Sequence, residues 1–137
     1  MKTVKMTGAA IASLLLSATA ALASAPPALY SAAQATAGAG IYAQNCAMCH
    51  GADLKGGAGP ALFGQAFAAP SNNYTVGAIF SEVAEQMPAG QPGSLTKTQY
   101  EDVMSYILQK NGYPAGGAAL VYKTALSSTA PLVSQVP

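Results

Sequence analysis

The sequence predicts an all-α fold built on three main helices that are joined by long loops. Two segments carry apolar residues at helical spacing behind a helix-capping residue, and a third carries a shorter face with the same spacing. Strand signals, which are runs of alternating β-branched and aromatic residues, are weak throughout. We therefore expect the core to form between helices.

The first helix is predicted over residues 37–47. One of its faces holds residues three and four positions apart, which are Gly38, Ile41, Tyr42 and Asn45. A glycine inside a helix costs up to about 1 kcal/mol relative to alanine, so we expect a packing role for it.

The second and third helices have clear starts. Thr75 is a good N-cap, and the apolar stripe behind it is Val76, Ile79, Phe80 and Val83. Thr96 begins the third helix, with Gln99 three residues later to complete a capping box. The stripe of this helix is Tyr100, Val103, Met104, Ile107 and Leu108, and Gly112 is its predicted stop.

Cys46, Cys49 and His50 form a C-x-x-C-H motif, which is the attachment pattern of a c-type haem. Each thiol can add to one haem vinyl group, and the adjacent histidine then lies under the iron. His50 is the only histidine, which excludes two histidine ligands from this chain. We therefore predict one covalent haem c, with its iron held on the proximal side by His50.

Met87 is the predicted distal ligand of the iron. Methionine sulfur is a neutral, soft ligand that raises the reduction potential of a haem. Met48 lies inside the attachment motif on the proximal side, and Met104 falls on an apolar stripe. Met87 instead follows the second helix and precedes Pro88, whose ring fixes φ and stiffens the loop.

The C-x-x-C-H motif by itself is also compatible with two other classes of function. An open sixth position would make a five-coordinate haem enzyme or sensor, although the chain has no second histidine and no arginine to assist peroxide chemistry. The two thiols could also form a redox disulfide or half of a zinc site. No further cysteine or histidine completes tetrahedral zinc, and no strand pattern suggests a thioredoxin-like unit.

Residues 1–23 have the pattern of a secretory signal peptide, with Lys2 and Lys5 before an apolar stretch and small residues at a cleavage site after Ala23 or Ala25. The apolar stretch is shorter than the roughly 20 residues of a membrane span, so no stable span is expected after cleavage. An Ala/Pro/Ser-rich lead-in is predicted at 24–36. The Ala/Ser/Gly-rich tail at 115–137 could be disordered, pack across the domain or dock on a partner.

Charge is sparse once the leader is removed. Residues 24–137 hold four lysines, no arginine and five carboxylates, for a net charge of −1. Nucleic-acid binding is excluded as a function because it needs clustered cations.

Several motifs together resemble those of the class I c-type cytochromes. They cover roughly residues 37–114 and are Gly38-x-x-x-Tyr42, Cys46–Gly51, Gly59–Leu62, Met87–Gly90 and the helix around Tyr106–Leu108. The stretch 111–116 is similar to small periplasmic cytochromes that serve quinone-cofactor dehydrogenases. The resemblance implies a cytochrome c-like fold with long loops wrapped around one haem, in a domain that spans 37–114.

The resemblance also implies roles for individual residues. The Pro60 carbonyl would accept a hydrogen bond from His50, Leu62 would pack on the haem face, and Gly38 would let the first and last helices cross closely. Tyr74 and Asn73 are candidates to bond a haem propionate.

The implied function is one-electron transfer between periplasmic redox proteins, without enzymatic turnover. A dehydrogenase would be the donor, and a cytochrome complex or an oxidase would be the acceptor. The alternative is a haem subunit of a larger dehydrogenase complex.

Overall fold

Six α-helices and one short 3₁₀ turn make up the part of the chain that the computed structural model describes, residues 24–137. The helices are α1 (Ala32–Asn45), α2 (Ala47–His50), α3 (Gln65–Ala68), α4 (Val76–Gln86), α5 (Lys97–Lys110) and α6 (Tyr122–Leu126), with the 3₁₀ turn at Pro70–Asn72. No strand occurs in residues 24–137, where two isolated bridges are the β-type pairings. The predicted all-α class is confirmed. The predicted signal peptide lies outside the described residues.

Helix α1 begins at Ala32, so the predicted start at residue 37 is wrong. Ser31 caps the helix as part of a capping box with Gln34, which places the first turn inside the predicted lead-in. Gln34 also bonds both backbone groups of Leu120, with its Nε2 2.9 Å from the carbonyl oxygen and its Oε1 2.8 Å from the amide nitrogen. A contact with the C-terminal tail therefore stabilises the early start.

The helical caps predicted at Thr75 and Thr96 are both confirmed. The Thr75 hydroxyl accepts from the Ala78 amide at 3.1 Å. Thr96 and Gln99 exchange both bonds of a capping box. Gly112 follows α5 with a φ of +84°, a backbone conformation that favours glycine and ends the helix.

Helices α1 and α5 cross with their backbones in close approach at Gly38. A Cβ on Gly38 would collide with the backbone carbonyl of Asp102. The rings of Tyr42 and Tyr106 stack at a tilt beside the crossing, with centroids 5.4 Å apart. The predicted packing role of Gly38 is confirmed.

The C-terminal tail packs across the domain. Helix α6 lies on α4 and α5, where the Tyr122 ring meets Phe80 edge-on at 5.1 Å. Glu101 accepts a hydrogen bond from the Tyr122 amide at 2.7 Å, which satisfies one of the free N–H groups at the start of α6. Leu132 and Ser134 are both buried further along the tail.

The hydrophobic core lies between α1, α4 and α5 and extends to the tail. Its largest fully buried apolar side chains are Tyr30, Tyr42, Phe80, Leu54, Met104, Leu108, Leu132, Val76 and Val103. Within residues 24–137, no helix is both long enough and apolar enough to cross a membrane. The loops after α2 and α4 border a cavity that Val103 and Ile107 of α5 also line.

Candidate haem site

A cavity of about 500 Å³ opens between α5 and the long loops. Its volume is in the usual range for cofactor and small-molecule sites. Six residues predicted as the site line this one cavity: Cys46, Cys49, His50, Pro60, Leu62 and Met87.

The proximal side is formed where α1 gives way to α2. Cys46 is the C-cap of α1, and its φ and ψ of −122° and −36° turn the chain into α2. Cys49 and His50 are the last two residues of that short helix, so the motif folds as one local unit. Gly51 ends it with a φ of +82°.

His50 is held at one ring nitrogen by a backbone carbonyl. Its Nδ1 lies 2.7 Å from the carbonyl oxygen of Pro60, and the side chain is buried. Because a carbonyl can only accept, Nδ1 carries the proton, and the lone pair of Nε2 is left for a metal.

The loop that carries Pro60 is tied closely to the motif. The Gly59 amide donates to the Cys49 carbonyl at 2.8 Å, and the Gly56 amide donates to the His50 carbonyl at 2.8 Å. A Cβ on Gly59 would lie 3.0 Å from Cε1 of the His50 ring. Glycine at position 59 therefore makes the space in which the imidazole sits.

Tyr42 supports the motif from α1. Its hydroxyl donates to the Gly51 carbonyl at 2.7 Å. Burial raises the pKa of Tyr42 to about 12, with smaller contributions from neighbouring groups such as Cys46. The hydroxyl therefore keeps its proton at neutral pH and remains a donor.

The two thiols are free and partly buried. Burial, followed by the neighbouring Cys49, raises the pKa of the Cys46 thiol to about 11. The Cys46 side chain of the haem-free chain is therefore a neutral thiol at physiological pH.

Met87 lines the cavity from the end of α4, where it is the C-cap residue. The Tyr100 hydroxyl donates to the Met87 carbonyl at 2.7 Å, and the Met87–Pro88 peptide bond is cis. The other two methionines of the described chain lie elsewhere. Met48 is 93% exposed and does not line the cavity, and Met104 is fully buried in the core, as its place on the stripe predicts.

Apolar side chains from α4 and α5 complete the lining. Residues predicted only as helix stripes contact the cavity as well, namely Ile79, Val83, Val103 and Ile107. Phe67 and Tyr74 add aromatic surface from the loop before α4, with ring centroids 6.4 Å apart. Of the two predicted propionate partners, Tyr74 lines the cavity. Asn73 is not among the lining residues, where the asparagines are Asn45 and Asn72, and its bond to a propionate stays a prediction.

Asn111 holds the loop around Leu62 and is a site residue that the sequence does not reveal. Its side-chain Nδ2 donates to the Leu62 and Ile107 carbonyls, each at 2.9 Å. Its Oδ1 accepts from the Gly64 amide at 3.0 Å, and the residue is only 1% exposed. Asparagine is common at helix ends and in turns for local reasons, so its presence after α5 does not by itself indicate this role.

These residues fit a haem. The cavity brings together two thiols for vinyl addition, one imidazole with Nε2 free and one thioether, in a largely apolar lining. Among residues 24–137, no cluster of three or more histidine, cysteine or carboxylate side chains could hold a metal ion directly. The donor set therefore matches an iron porphyrin better than a bare metal.

Comparisons with known proteins agree with this chemistry. Residues 33–107 match the family described as cytochrome c oxidase, cbb3-type, subunit III. The fold is similar to a chain of the sulfane dehydrogenase SoxCD from Paracoccus pantotrophus, with a TM-score of 0.53 and 22% identity. That match covers 74% of this chain and 53% of the other, so this chain spans about half of the SoxCD chain. No curated protein matches the sequence significantly. The chain belongs to the family of cbb3-type cytochrome c oxidase subunit III and is a small, class I-like c-type cytochrome, an electron-transfer protein with a covalently bound haem.

Proposed function

We propose that this cytochrome is a one-electron carrier with a single haem, whose iron is bound by His50 and Met87 and whose vinyl groups are bound by Cys46 and Cys49. One observation carries the proposal. A single cavity is lined by both thiols, by the only histidine of the chain and by one methionine.

Each ligand has a distinct chemical role. The haem, when bound, supplies an iron that cycles between the ferric and ferrous states. The Pro60 carbonyl orients the His50 ring and makes it a better electron donor through Nδ1. The neutral thioether of Met87 favours the ferrous state and so raises the reduction potential. If His50 and Met87 both bind the iron, no coordination position would be left for a substrate.

Redox titration of the holoprotein with visible spectroscopy tests the ligand set. We expect a low-spin spectrum for the wild type in both oxidation states. Met87→Leu should give a high-spin ferric spectrum and a lower potential, while Met48→Leu, at an exposed position, should leave both unchanged. A high-spin wild type would contradict the proposal and favour the five-coordinate alternative.

The attachment residues are tested separately. After denaturing electrophoresis, a haem stain should remain with the wild-type chain because thioether bonds survive unfolding. It should be lost when Cys46 and Cys49 are both replaced by serine. A stain that survives the double replacement would place the attachment elsewhere.

We further propose that the protein acts in the periplasm, between a dehydrogenase donor and a cytochrome complex or oxidase acceptor. The leader pattern of residues 1–23 supports export. The fold match to a sulfane dehydrogenase chain favours a dehydrogenase as donor, and also favours the alternative of a haem subunit in a larger complex. Size-exclusion chromatography of the exported protein from its native source separates the two, since a free carrier elutes as a small monomer.

Docking to these partners should depend on apolar contact more than on charge. The cavity lining includes small apolar residues such as Ala58, Ala61 and Ala89, and its one carboxylate is Glu82. Redox partners typically meet over small interfaces. We expect the electron-transfer rate to change little with ionic strength, and a steep fall with added salt would contradict this mode of docking.

A further inference from the structure

Residues 65–77 form a cavity wall that leads into the first two residues of α4 and has little regular structure before them. Its inner side contributes Ala66, Phe67, Asn72 and Tyr74 to the cavity lining. It contains the four-residue helix α3 and the short 3₁₀ turn, and both are held by local hydrogen bonds. Local bonds of this kind do not position the wall relative to the rest of the protein.

The outer side of this wall pairs with the end of the chain. The Ser134 amide donates to the Ala68 carbonyl and the Leu132 amide to the Tyr74 carbonyl, each at 2.8 Å. In the other direction, the Val76 amide donates to Ala130 at 2.8 Å and the Gly77 amide donates to Ser128 at 3.0 Å. Within residues 24–137, every long-range backbone hydrogen bond of the wall goes to residues 128–134.

Side chains fasten the end of the chain in this position. The Tyr113 hydroxyl donates to the Pro131 carbonyl and accepts from the Val133 amide, both at 2.9 Å. Leu132 is 1% exposed between these contacts. Gln65 reaches from the wall to the Ser134 carbonyl at 2.9 Å.

We propose that residues 128–137 form a strap that positions the wall 65–77 and thereby keeps water away from the haem. The family match ends at residue 107, so the strap lies outside the matched region. Water near a haem stabilises the more highly charged ferric state, so a loosened wall lowers the reduction potential. The inference requires a haem in the cavity but does not depend on Met87 as a ligand.

The first two amides of α4 bond directly to the strap, so their hydrogen exchange measures how firmly it is held. Val76 and Gly77 have no partner within their own helix, because the first N–H groups of a helix never do. We therefore expect their hydrogen exchange to be slowed by the bonds to the carbonyls of Ala130 and Ser128. Measuring exchange by NMR on the full-length reduced holoprotein gives a local reading, and the Val103 amide of α5 serves as the internal reference.

Two variants loosen the strap to different degrees. Leu132→Ala removes the buried anchor, and Tyr113→Phe removes both hydroxyl contacts while keeping the ring, which provides a milder variant if Leu132→Ala fails to fold. We expect at least tenfold faster exchange at Val76 and Gly77, together with a lower reduction potential. Leu126→Ala is the matched control, since Leu126 lies in the same tail and is 38% exposed.

Three outcomes would overturn the proposal. These are unchanged exchange at both amides in the strap variants, faster exchange with the wild-type potential, and the same changes in Leu126→Ala. Failure of the proposed function is distinguishable, because a wild type with a high-spin spectrum would refute Met87 ligation while leaving the exchange and potential comparisons valid.

Discussion

Tyr100 is the residue through which helix α5 holds the Met87 loop. Its hydroxyl donates to the Met87 carbonyl at 2.7 Å, and its side chain is 3% exposed. The same oxygen accepts a longer bond of 3.5 Å from the Leu95 amide. Tyr100→Phe removes both bonds while keeping the ring that fills the core.

The size of the effect follows from the lost hydrogen bond. A buried hydrogen bond contributes a net 0.5–1.5 kcal/mol, roughly. The population in which the Met87 loop is open should then rise by about two- to twelvefold, since 1.4 kcal/mol corresponds to a factor of ten. If Met87 binds the iron, an added ligand must wait for this opening, so its apparent affinity rises by the same factor.

Imidazole binding to the ferric holoprotein, followed by visible spectroscopy, measures this factor. Tyr30→Phe is the matched control, because the Tyr30 hydroxyl also donates to a backbone carbonyl, that of Tyr113, at 2.6 Å in a buried position. We expect tighter imidazole binding in Tyr100→Phe and the wild-type affinity in Tyr30→Phe. Equal affinity in Tyr100→Phe and wild type would refute the reasoning, provided that Met87→Leu still binds more tightly.

Three further changes test the fold. Gly38→Ala should lower the free energy of unfolding by about 1–3 kcal/mol, because the added methyl overpacks against the α5 backbone. Gly40→Ala, which faces open space on the same helix, should raise it by up to about 1 kcal/mol. A similar denaturation midpoint for the two variants would contradict the close crossing. Asn111→Ala leaves two backbone groups without a partner, the Leu62 carbonyl and the Gly64 amide, at about 1–3 kcal/mol each, so it should destabilise more than Gly38→Ala in the same assay. Burial, and then Glu101, raises the pKa of the Asp102 carboxyl above its ordinary 3.8, so the folded state loses stability as pH rises through that raised pKa. Asp102→Asn should therefore raise the melting temperature at pH 7 but not below pH 3.8, and an equal gain at both would show another cause.

Local signals explain what the sequence predicts well. The caps at Thr75 and Thr96 depend on partners three residues away, and the C-x-x-C-H motif folds as one short helix. The start of α1 is a case in which a local signal is present but is not recognised. Ser31 and Gln34 form the same kind of capping box as Thr96 and Gln99. The alanine-rich turn that follows Ser31 has no stripe of large apolar residues, so the sequence pattern does not indicate a helix there.

Long-range backbone contacts explain what the sequence does not predict. Tyr100 fits an apolar stripe whether or not its hydroxyl meets Met87, and Asn111 fits a helix end whether or not it reaches Leu62. The tail has the composition of a loose segment, and its contacts with the wall use backbone groups that every residue carries. Because every residue has the same backbone groups, the residue types do not predict this pairing, and it becomes visible only in the folded structure.

The loop between α2 and α4 is held at three separate points, because a loop that borders a cofactor cavity has no hydrophobic core beneath it to hold it in place. His50 meets the Pro60 carbonyl, Asn111 holds the backbone at Leu62 and Gly64, and the strap holds residues 65–77. Each contact supports a different stretch of the loop and leaves the crossing of α1 and α5 untouched. Loss of one support should therefore change the surroundings of the haem next to that stretch while the helical core stays folded, so the reduction potential can be tuned without loss of the fold.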